Sequence, residues 1–275
     1  MFEPAILAAI RARLDRAQAL GDRRYRPFIV AGTETGAVDD VRAARLAAFG
    51  PTLFVVRDDS ITLADRLSDE PSRSSALRDV ALDLRAEGAL PAWRDERYAI
   101  ATRFGSPALA HLERGAARYF GIRTWAAHVN GIVMNDATRM WFARRSTSKA
   151  VDPGLLDNLV GGGIAAGFSV EATVVKESWE EAGIDEALAR RARFVGLVEV
   201  TRAMFDGLQR ETVFVHDLSL PEEFVPENQD GEAVAHRLVG LDEAARLVAG
   251  DGGPDEVTID ASAVVLDYLL RHGPT

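Results

Sequence analysis

Three glutamates stand close together in the middle of the chain: Glu177, Glu180 and Glu181. In an α-helix, their spacing of i, i+3 and i+4 places all three carboxylates on one face. Like charges at this spacing repel by roughly 0.2–0.5 kcal/mol per pair, so the face is either a solvated acidic surface or a cation site. Clustered carboxylate oxygens suit a hard divalent cation shared with phosphate, so metal-assisted phosphate chemistry is one interpretation of these residues.

A glycine-rich segment directly precedes the acidic helix. Four glycines lie within residues 161–167, where they would let the backbone approach a ligand closely or adopt positive φ. We therefore predict a turn here, following a strand at residues 156–160. Ser169 is the expected N-cap of the helix, and Gly183 its end. The face opposite the acids is expected to pack against the protein, and it carries Ala172, Val175, Ser178, Trp179 and Ala182.

Around this segment, the pattern of apolar and turn-forming residues changes near Trp125. Before it, short strands alternate with helices, which predicts a small α/β (α+β) unit. Helices are expected there at residues 4–20, 38–49, 72–87 and 107–119, and strands at residues 26–30, 53–56 and in a segment ending at Thr102. After it we expect strands 125–134 and 140–144 in a hairpin, strands 193–201 and 211–218, an acidic loop 221–231, and helices 241–249 and 257–271 separated by a turn at 251–254.

The composition of the 275 residues, 47% apolar and 27% charged, is that of a globular protein. A net charge of −10 argues against non-specific binding to nucleic acid or to a membrane surface, so an anionic substrate would need a metal or a local basic cluster. The absence of cysteine excludes disulfides, thiolate metal sites and cysteine nucleophiles. No signal peptide or membrane span is recognised, so we expect a cytoplasmic protein, with a homodimer as an open alternative for its assembly.

Other kinds of site fit the sequence less well. A serine hydrolase needs a G-x-S-x-G turn, whereas Ser169 is not followed by glycine two residues on. Gly161-x-Gly163-x-x-Ala166 matches a relaxed dinucleotide fingerprint, but the acids of the following helix would repel a pyrophosphate. The histidines lack metal-ligand spacing: His111, His128, His216, His236 and His272.

Counted from Gly162, the spacing resembles the signature of the Nudix hydrolases, G-x5-E-x7-R-E-U-x-E-E-x-G-U, where U is a bulky aliphatic residue. The chain matches this signature at Gly162, Glu177, Glu180, Glu181, Gly183 and Ile184. It departs from it at Phe168 in place of the first glutamate, Lys176 in place of the arginine, and Ser178 in place of an aliphatic residue.

The resemblance implies a Nudix α/β/α sandwich with a mixed β-sheet. It also implies metal-dependent hydrolysis of a diphosphate linkage in a nucleoside diphosphate derivative or similar small molecule, with Mg²⁺ as the metal or Mn²⁺ in its place. The metal ligands implied are the carbonyl of Gly162 and the side chains of Glu177, Glu180 and Glu181. The catalytic residues implied are Glu177, Glu181, Lys176 and, as an extra acid in a loop before a strand, Glu232.

The departures have a physical interpretation. Lys176 keeps the positive charge of the family's arginine but lacks its planar fork, so it would orient the acids more loosely. Phe168 is expected to pack the loop against the helix. These changes leave open a Nudix-fold protein that binds diphosphates with weakened catalysis. An isoprenoid diphosphate isomerase of the same fold normally needs a catalytic cysteine, which this chain lacks.

Segments outside the signature, among them residues 119–125, 128–131 and 156–158, resemble one Nudix subgroup with an extra N-terminal domain. Relatives of that subgroup are associated with thiamine pyrophosphokinase and with removal of damaged thiamine diphosphate. The resemblance thus implies an N-terminal domain at residues 1–115, a Nudix domain at 116–275, and a thiamine-type diphosphate as substrate. A basic group before the signature is a candidate phosphate site or an ordinary surface turn, and it consists of Arg144, Arg145 and Lys149.

Overall fold

The computed structural model describes residues 4–250 and 255–272, so the turn expected at 251–254 lies outside the described residues. The helices are α1 (Pro4–Gln18), α2 (Asp40–Ala47), α3 (Glu70–Ala86), α4 (Val170–Ala182), α5 (Glu186–Ala189), α6 (Leu241–Ala249) and α7 (Ile259–His272). The strands are β1 (Tyr25–Val30), β2 (Thr33–Asp39), β3 (Phe54–Val56), β4 (Ile61–Leu63), β5 (Arg97–Ile100), β6 (Ala110–Glu113), β7 (Arg123–Met134), β8 (Thr138–Arg145), β9 (Leu156–Asn158), β10 (Val160–Gly163), β11 (Arg193–Met204), β12 (Gly207–Leu220) and β13 (Ala233–Gly240). Within the described ranges, no helix has both the length and the apolar character needed to cross a membrane.

A four-stranded sheet is the framework of the N-terminal region, with its strands in the order β2-β1-β4-β3. Strand β1 pairs antiparallel with β2 and parallel with β4. Aromatic rings fill the core beside it: the ring centroids of Phe28 and Phe120 are 5.1 Å apart and lie 6.3 and 6.1 Å from that of Phe54. Each buried side chain of this size stabilises the fold by about 1.5–3 kcal/mol, so the region has a core of its own.

The helix predicted at residues 107–119 is wrong. Ala110–Glu113 forms strand β6, which pairs antiparallel with β5, and one 3₁₀ turn follows at Arg114–Ala116. Ala110 and Leu112 are buried while His111 between them is half-buried, which is the period of two of a strand. The sequence pattern also misses β2 and β4. The helix expected from residue 38 begins at Asp40, because the side chain of Asp39 accepts a hydrogen bond from the backbone N–H of Arg42 at 2.9 Å and caps the helix.

A seven-stranded mixed sheet organises the C-terminal region. Its main path runs β11-β12-β7-β8-β13, with β10 paired to β7 and β9 paired to β8. Strands β12 and β7 run parallel, whereas the other pairs are antiparallel. The strands expected at residues 125–134, 140–144, 193–201 and 211–218 all lie within it.

Helices cover both faces of this sheet. One core cluster joins Val129 and Val133 of β7 to Val174 and Ala182 of α4. A second cluster, on the opposite face, joins Ile132 to α6 and α7. Neighbouring residues of β7 thus point to different clusters, as the alternation of a strand requires. The result is the predicted α/β/α sandwich with a mixed sheet, preceded by an α/β region.

The expected boundaries of 1–115 and 116–275 stay a prediction, and side chains from both sides of residue 115 share core clusters. Helix α1 packs with the second region, where Ile10 and Leu14 share a core cluster with α6 and α7. Conversely, residues 116–122 contribute Ala116, Phe120 and Ile122 to the core of the first region. The reason is that the segment after β6 turns back onto the aromatic core before the chain enters β7.

Candidate active site

A cavity of about 230 Å³ lies where the two regions meet, beside the predicted acidic helix. The first region lines it with residues that include Arg94, Tyr98 and Arg114. The second region adds the glycines of β10, basic residues after β8 and acids of α4. Among the predicted site residues, those that line the cavity are Gly162, Lys176, Glu177, Glu180, Glu232, Arg145 and Lys149.

The sequence-based expectation of a turn at these glycines is wrong. The glycines of β10 lie in a strand and allow neighbouring side chains to approach it closely. Residues 161–163 continue the strand and pair with residues 126–128 of β7. A Cβ at Gly162 would meet the carboxyl carbon of Glu177 at 2.3 Å, and one at Gly163 would meet the Tyr98 hydroxyl oxygen at 1.8 Å. Only Gly167, which follows the strand, has positive φ among these glycines, at 88°. The missing side chains therefore make room for α4 and for the N-terminal region.

Helix α4 has the predicted ends. The hydroxyl oxygen of Ser169 accepts a hydrogen bond from the N–H of Ala172 at 3.0 Å, and Gly183 closes the helix with a left-handed φ of 65°. The face expected to pack is partly wrong, because Trp179 is 53% exposed and Ala172 is also exposed. The helix has turned its acidic side inward, since the glycines of β10 leave space for those side chains.

Glu181 is the most deeply placed of the three acids, with 8% of its surface exposed. It lies behind the cavity wall and accepts a hydrogen bond from the backbone N–H of Gly161 at 2.8 Å. Burial raises the pKa of Glu181, and the nearby carboxylates of Glu177 and Asp157 act in the same direction. Burial likewise raises the pKa of Glu177, against the effect of Lys176. Both carboxyl groups are therefore stronger bases than ordinary glutamates.

Lys176 lies between two of the acids. Its ammonium group donates to Glu177 at 3.0 Å and to Glu180 at 2.6 Å. It therefore neutralises part of the acidic cluster, and its expected orienting role stays a prediction. The other two departures from the signature behave differently. Phe168 is 47% exposed, so the expectation that it packs the loop against the helix is wrong, and Ser178 is fully buried.

The oxygen atoms that α4 and β10 offer are of the kind that a divalent cation prefers. Across the residues that the structure describes, no three carboxylate or imidazole groups stand together in metal-binding geometry. The donors offered by α4 and β10 are nevertheless all oxygens, which hard divalent cations prefer. The Lys176 ammonium already contacts two of them, so this end of the site holds positive charge. The groups that fit a metal are the Gly162 carbonyl, Glu177, Glu180 and Glu181.

The predicted basic group consists of Arg144, Arg145 and Lys149, and only two of these residues line the cavity. Arg145 donates to Asp157 at 2.7 Å and lines the cavity together with Lys149. Arg144 instead donates to the carbonyl of Gly154 at 2.9 Å and pairs with Asp255, so it does not line the cavity. The difference follows from strand alternation, because neighbouring residues at the end of β8 point to opposite sides.

Glu232 is held at the cavity by two cations. Its carboxylate pairs with Lys149 and, at 3.5 Å, with Arg94 of the first region. Burial lowers the pKa of Lys149, and the positive charges of Arg145, Arg94 and Arg114 act in the same direction against that of Glu181. Arg94, Arg114, Arg145 and Lys149 all line the cavity, and we call them its basic wall.

An acidic pair forms another part of the wall. The side-chain amide of Gln209 donates to Glu211 at 3.2 Å and to Asp260 at 3.1 Å. Burial raises the pKa of Asp260, while Arg202 acts to lower it. Glu211 and Asp260 cannot be recognised as site residues from the sequence, because nothing in their local spacing connects β12 with α7.

Two family models match the chain. A family model described as "NUDIX domain" matches residues 124–259, and one described as "Domain of unknown function (DUF4743)" matches residues 8–124. Residues 124–259 therefore form a Nudix domain, which follows a region of the second kind.

Two relatives come from Arabidopsis thaliana. "Nudix hydrolase 20, chloroplastic" is 39% identical over 217 residues, which are 78% of this chain and 57% of the relative. "Nudix hydrolase 24, chloroplastic" is 40% identical over 217 residues, which are 78% of this chain and 58% of the relative. The chain thus spans less than two thirds of the length of these relatives.

Solved structures of low sequence identity also match. The NUDIX domain of Shewanella oneidensis NrtR, in complex with ADP ribose, is 13% identical with a TM-score of 0.43, over 55% of this chain and 90% of that chain.

Proposed function

We propose that this protein hydrolyses a diphosphate linkage in a small molecule, with a divalent metal, Mg²⁺ or Mn²⁺, as cofactor. The observation that carries the proposal is the meeting of α4 carboxylates and a basic wall in one cavity. The acids are suited to a metal and to activation of water, and the cations are suited to phosphate oxygens. The Nudix domain at residues 124–259 supports the same chemistry.

Each site residue is assigned a role in the proposed reaction according to its position. Gly162, Glu177, Glu180 and Glu181 would hold the metal, which supplies charge neutralisation of the phosphates and a lower pKa for water. Glu181 and Glu177 are the candidate general bases, because burial raises their pKa towards the range in which a carboxylate accepts a proton well. Arg145 and Lys149 would bind phosphate oxygens as the linkage is cleaved.

A thiamine-type diphosphate is the substrate class that we propose within this chemistry. Thiamine carries a cationic ring and an amino-bearing heterocycle, so it needs acceptors and negative charge away from its phosphates. Glu211 and Asp260 offer both, on the same cavity as the basic wall. Oxidised forms of thiamine diphosphate keep the amino-bearing heterocycle, and the resemblance to the thiamine-associated subgroup supports them as substrates.

A substrate panel tests the reaction. Phosphate or monophosphate release would be measured with Mg²⁺ or Mn²⁺ from thiamine diphosphate, its oxidised analogues, ADP-ribose and nucleoside triphosphates. We expect turnover of the thiamine-type compounds to exceed that of the others. Glu181→Gln should lower metal-dependent turnover by roughly 10²-fold or more while the protein stays folded. No turnover of any compound would remove the proposed reaction, and unchanged turnover in Glu181→Gln would remove the role of that residue.

A binding protein with weakened catalysis is the second candidate. The observation that favours it is the contact of the Lys176 ammonium with Glu177 and Glu180, since this cation competes with a metal for the same oxygens. Calorimetry separates the two candidates. Tight binding of thiamine diphosphate without release of phosphate would favour the second, whereas binding followed by turnover would favour the first.

A further inference from the structure

We propose that the N-terminal region forms part of the substrate site, and that its Arg94 and Arg114 bind phosphate groups of the substrate. The inference takes the class of substrate from the proposed function and adds a role for the region that the family comparison describes only as a domain of unknown function. Neither arginine belongs to the Nudix signature.

Contacts between the two regions hold these arginines against the Nudix site. The Tyr98 hydroxyl of β5 packs so closely on Gly163 of β10 that any Cβ there would overlap it. The backbone N–H of Ala166 donates to the carbonyl of Arg97 at 2.8 Å, just beyond the same strand. Strand β5 is thus attached to the segment that leads from β10 into α4.

Arg114 is held in place from two sides. Its guanidinium group donates to Glu96 at 2.7 Å and lies 5.6 Å from the ring centroid of Tyr98. A Cβ at Gly163 would lie 3.4 Å from one of its nitrogens, which shows how near the guanidinium is to β10. A guanidinium fixed in this way is pre-organised for phosphate oxygens, because little side-chain freedom remains to be lost on binding.

The charges around Arg94 favour an anion. Arg94 from the first region and Lys149 from the second share one carboxylate, that of Glu232. Two cations on one carboxylate leave this corner of the cavity with net positive charge. Arg114 and Arg145 line the same cavity, where they are paired with Glu96 and Asp157. This concentration stands in a chain whose net charge is −10, so it is a local feature that a phosphate group would neutralise.

A purely structural role explains Arg94 poorly. Its contact with Glu232 is 3.5 Å long, and the two side chains are 38% and 34% exposed. Ion pairs of this kind stabilise a fold by only about 0–1 kcal/mol. Since Arg94 contributes little to holding the regions together, its position on the cavity is better explained by a ligand than by folding.

The test uses inorganic pyrophosphate as the probe and the full chain as the protein. Calorimetry in metal-free buffer would compare the wild-type chain with Arg94→Gln, Arg94→Lys and Arg114→Lys. We expect Arg94→Gln to weaken pyrophosphate binding about tenfold, because a charge-assisted hydrogen bond is lost. Arg94→Lys should retain part of the affinity through its charge. On a substrate that is turned over, Arg94→Gln should raise KM with kcat within about twofold of wild type.

Arg45→Gln is the matched control, since Arg45 lies in the same region but pairs with Glu87 and does not line the cavity. Equal pyrophosphate affinities for wild type, Arg94→Gln and Arg45→Gln would overturn the inference, as would a wild-type chain that binds no pyrophosphate. A wild-type chain that binds pyrophosphate through Arg94 but hydrolyses nothing would leave the inference standing and remove the proposed reaction.

Discussion

Ser178 occupies a position where the Nudix signature has a bulky aliphatic side chain. It is fully buried in α4, and its hydroxyl has no hydrogen-bond partner among the residues that the structure describes. A buried hydroxyl without a partner costs about 1–3 kcal/mol relative to its hydration in the unfolded chain. This residue therefore lowers the stability of the helix that carries the acids.

Ser178→Ala should stabilise the protein by about 1 kcal/mol, because it removes the unpaired hydroxyl and leaves only a small cavity. Urea unfolding at equilibrium measures the change. Ser262→Ala is the matched control, since Ser262 is equally buried in a helix but accepts a bond from Arg13 at 2.6 Å and donates to the carbonyl of Thr258 at 2.7 Å. That variant should be less stable than wild type, and a loss of stability in both variants would contradict the interpretation of Ser178.

A pH dependence is expected from His216, which is buried in β12. Burial lowers the pKa of His216 below its ordinary value of 6.5, although the carbonyls of Phe214 and His128 act to raise it. Below pH 6.5 the unfolded chain then takes up a proton that the folded chain does not, so the free energy of unfolding falls as the pH falls through this range. Above that range the residue contributes no pH dependence.

Replacing His216 by Gln should therefore reduce the loss of stability between about pH 7.5 and about pH 5.5. The slope that the residue contributes is at most about 1.4 kcal/mol per pH unit. Urea unfolding of both proteins at the two pH values gives the difference directly. Parallel losses in wild type and His216→Gln would show that this side chain does not carry the effect.

The sequence identifies the acids of α4, but it does not identify the cations of the first region or the acids of β12 and α7 that line the same cavity. Glu177, Glu180 and Glu181 are close in sequence, so helical periodicity alone places them on one face. Arg94, Arg114, Glu211 and Asp260 reach the same cavity from four separate parts of the chain. These residues come together only when the two regions and the sheet pack. The spacing of residues within one segment does not predict that packing.

At the scale of elements, the approach of β10 to α4 controls where Glu177 lies. Gly162→Ala would place a methyl group 2.3 Å from the carboxyl carbon of Glu177, and the flexible glutamate side chain would have to move. We therefore expect metal-dependent turnover to fall about tenfold or more, with the free energy of unfolding changed by less than about 1 kcal/mol. Activity assays and urea unfolding on the same preparation separate the two effects.

Gly196→Ala is the control for this substitution. Gly196 also lies in a strand, β11, but a Cβ there would meet nothing within 4 Å. Both activity and stability should stay near wild type. A comparable loss of activity in the two variants would mean that the close approach at Gly162 is not what matters.

Elements are predictable from sequence where local signals agree. Helix α4 has an N-cap and a terminal glycine, and β7 and β8 are joined by a short turn of the hairpin type, so all three elements are recognised. Strand β6 has four residues and is followed by a 3₁₀ turn, so its short alternation is hidden inside a stretch that also fits a helix. The segment forms a strand because it pairs with β5, and the sequence of neither segment alone predicts this pairing.

At the scale of the whole molecule, Arg13 ties the first helix to the last part of the described chain. The guanidinium donates to the carbonyls of Val248 and Val257 and to the hydroxyl of Ser262, at 3.2, 2.6 and 2.6 Å. Arg13→Ala should lower the free energy of unfolding by roughly 2–4 kcal/mol, because buried acceptors lose their partner. Urea unfolding measures this loss.

Arg16→Ala on the same helix provides the comparison. Arg16 is exposed, so its removal should change stability by less than about 0.5 kcal/mol. Equal effects of the two substitutions would show that α1 is held by its apolar side chains rather than by Arg13.

The docking of α1 has a consequence for synthesis on the ribosome. Arg13 of this helix meets Val248 only after 235 further residues have been added. Until then Ile10 and Leu14, which are buried in the finished protein, have no final partner and remain open to chaperones or to other nascent chains. The N-terminal sheet, whose strands are close in sequence, can form during this interval. Completion of the Nudix sandwich is therefore expected to follow formation of the N-terminal sheet.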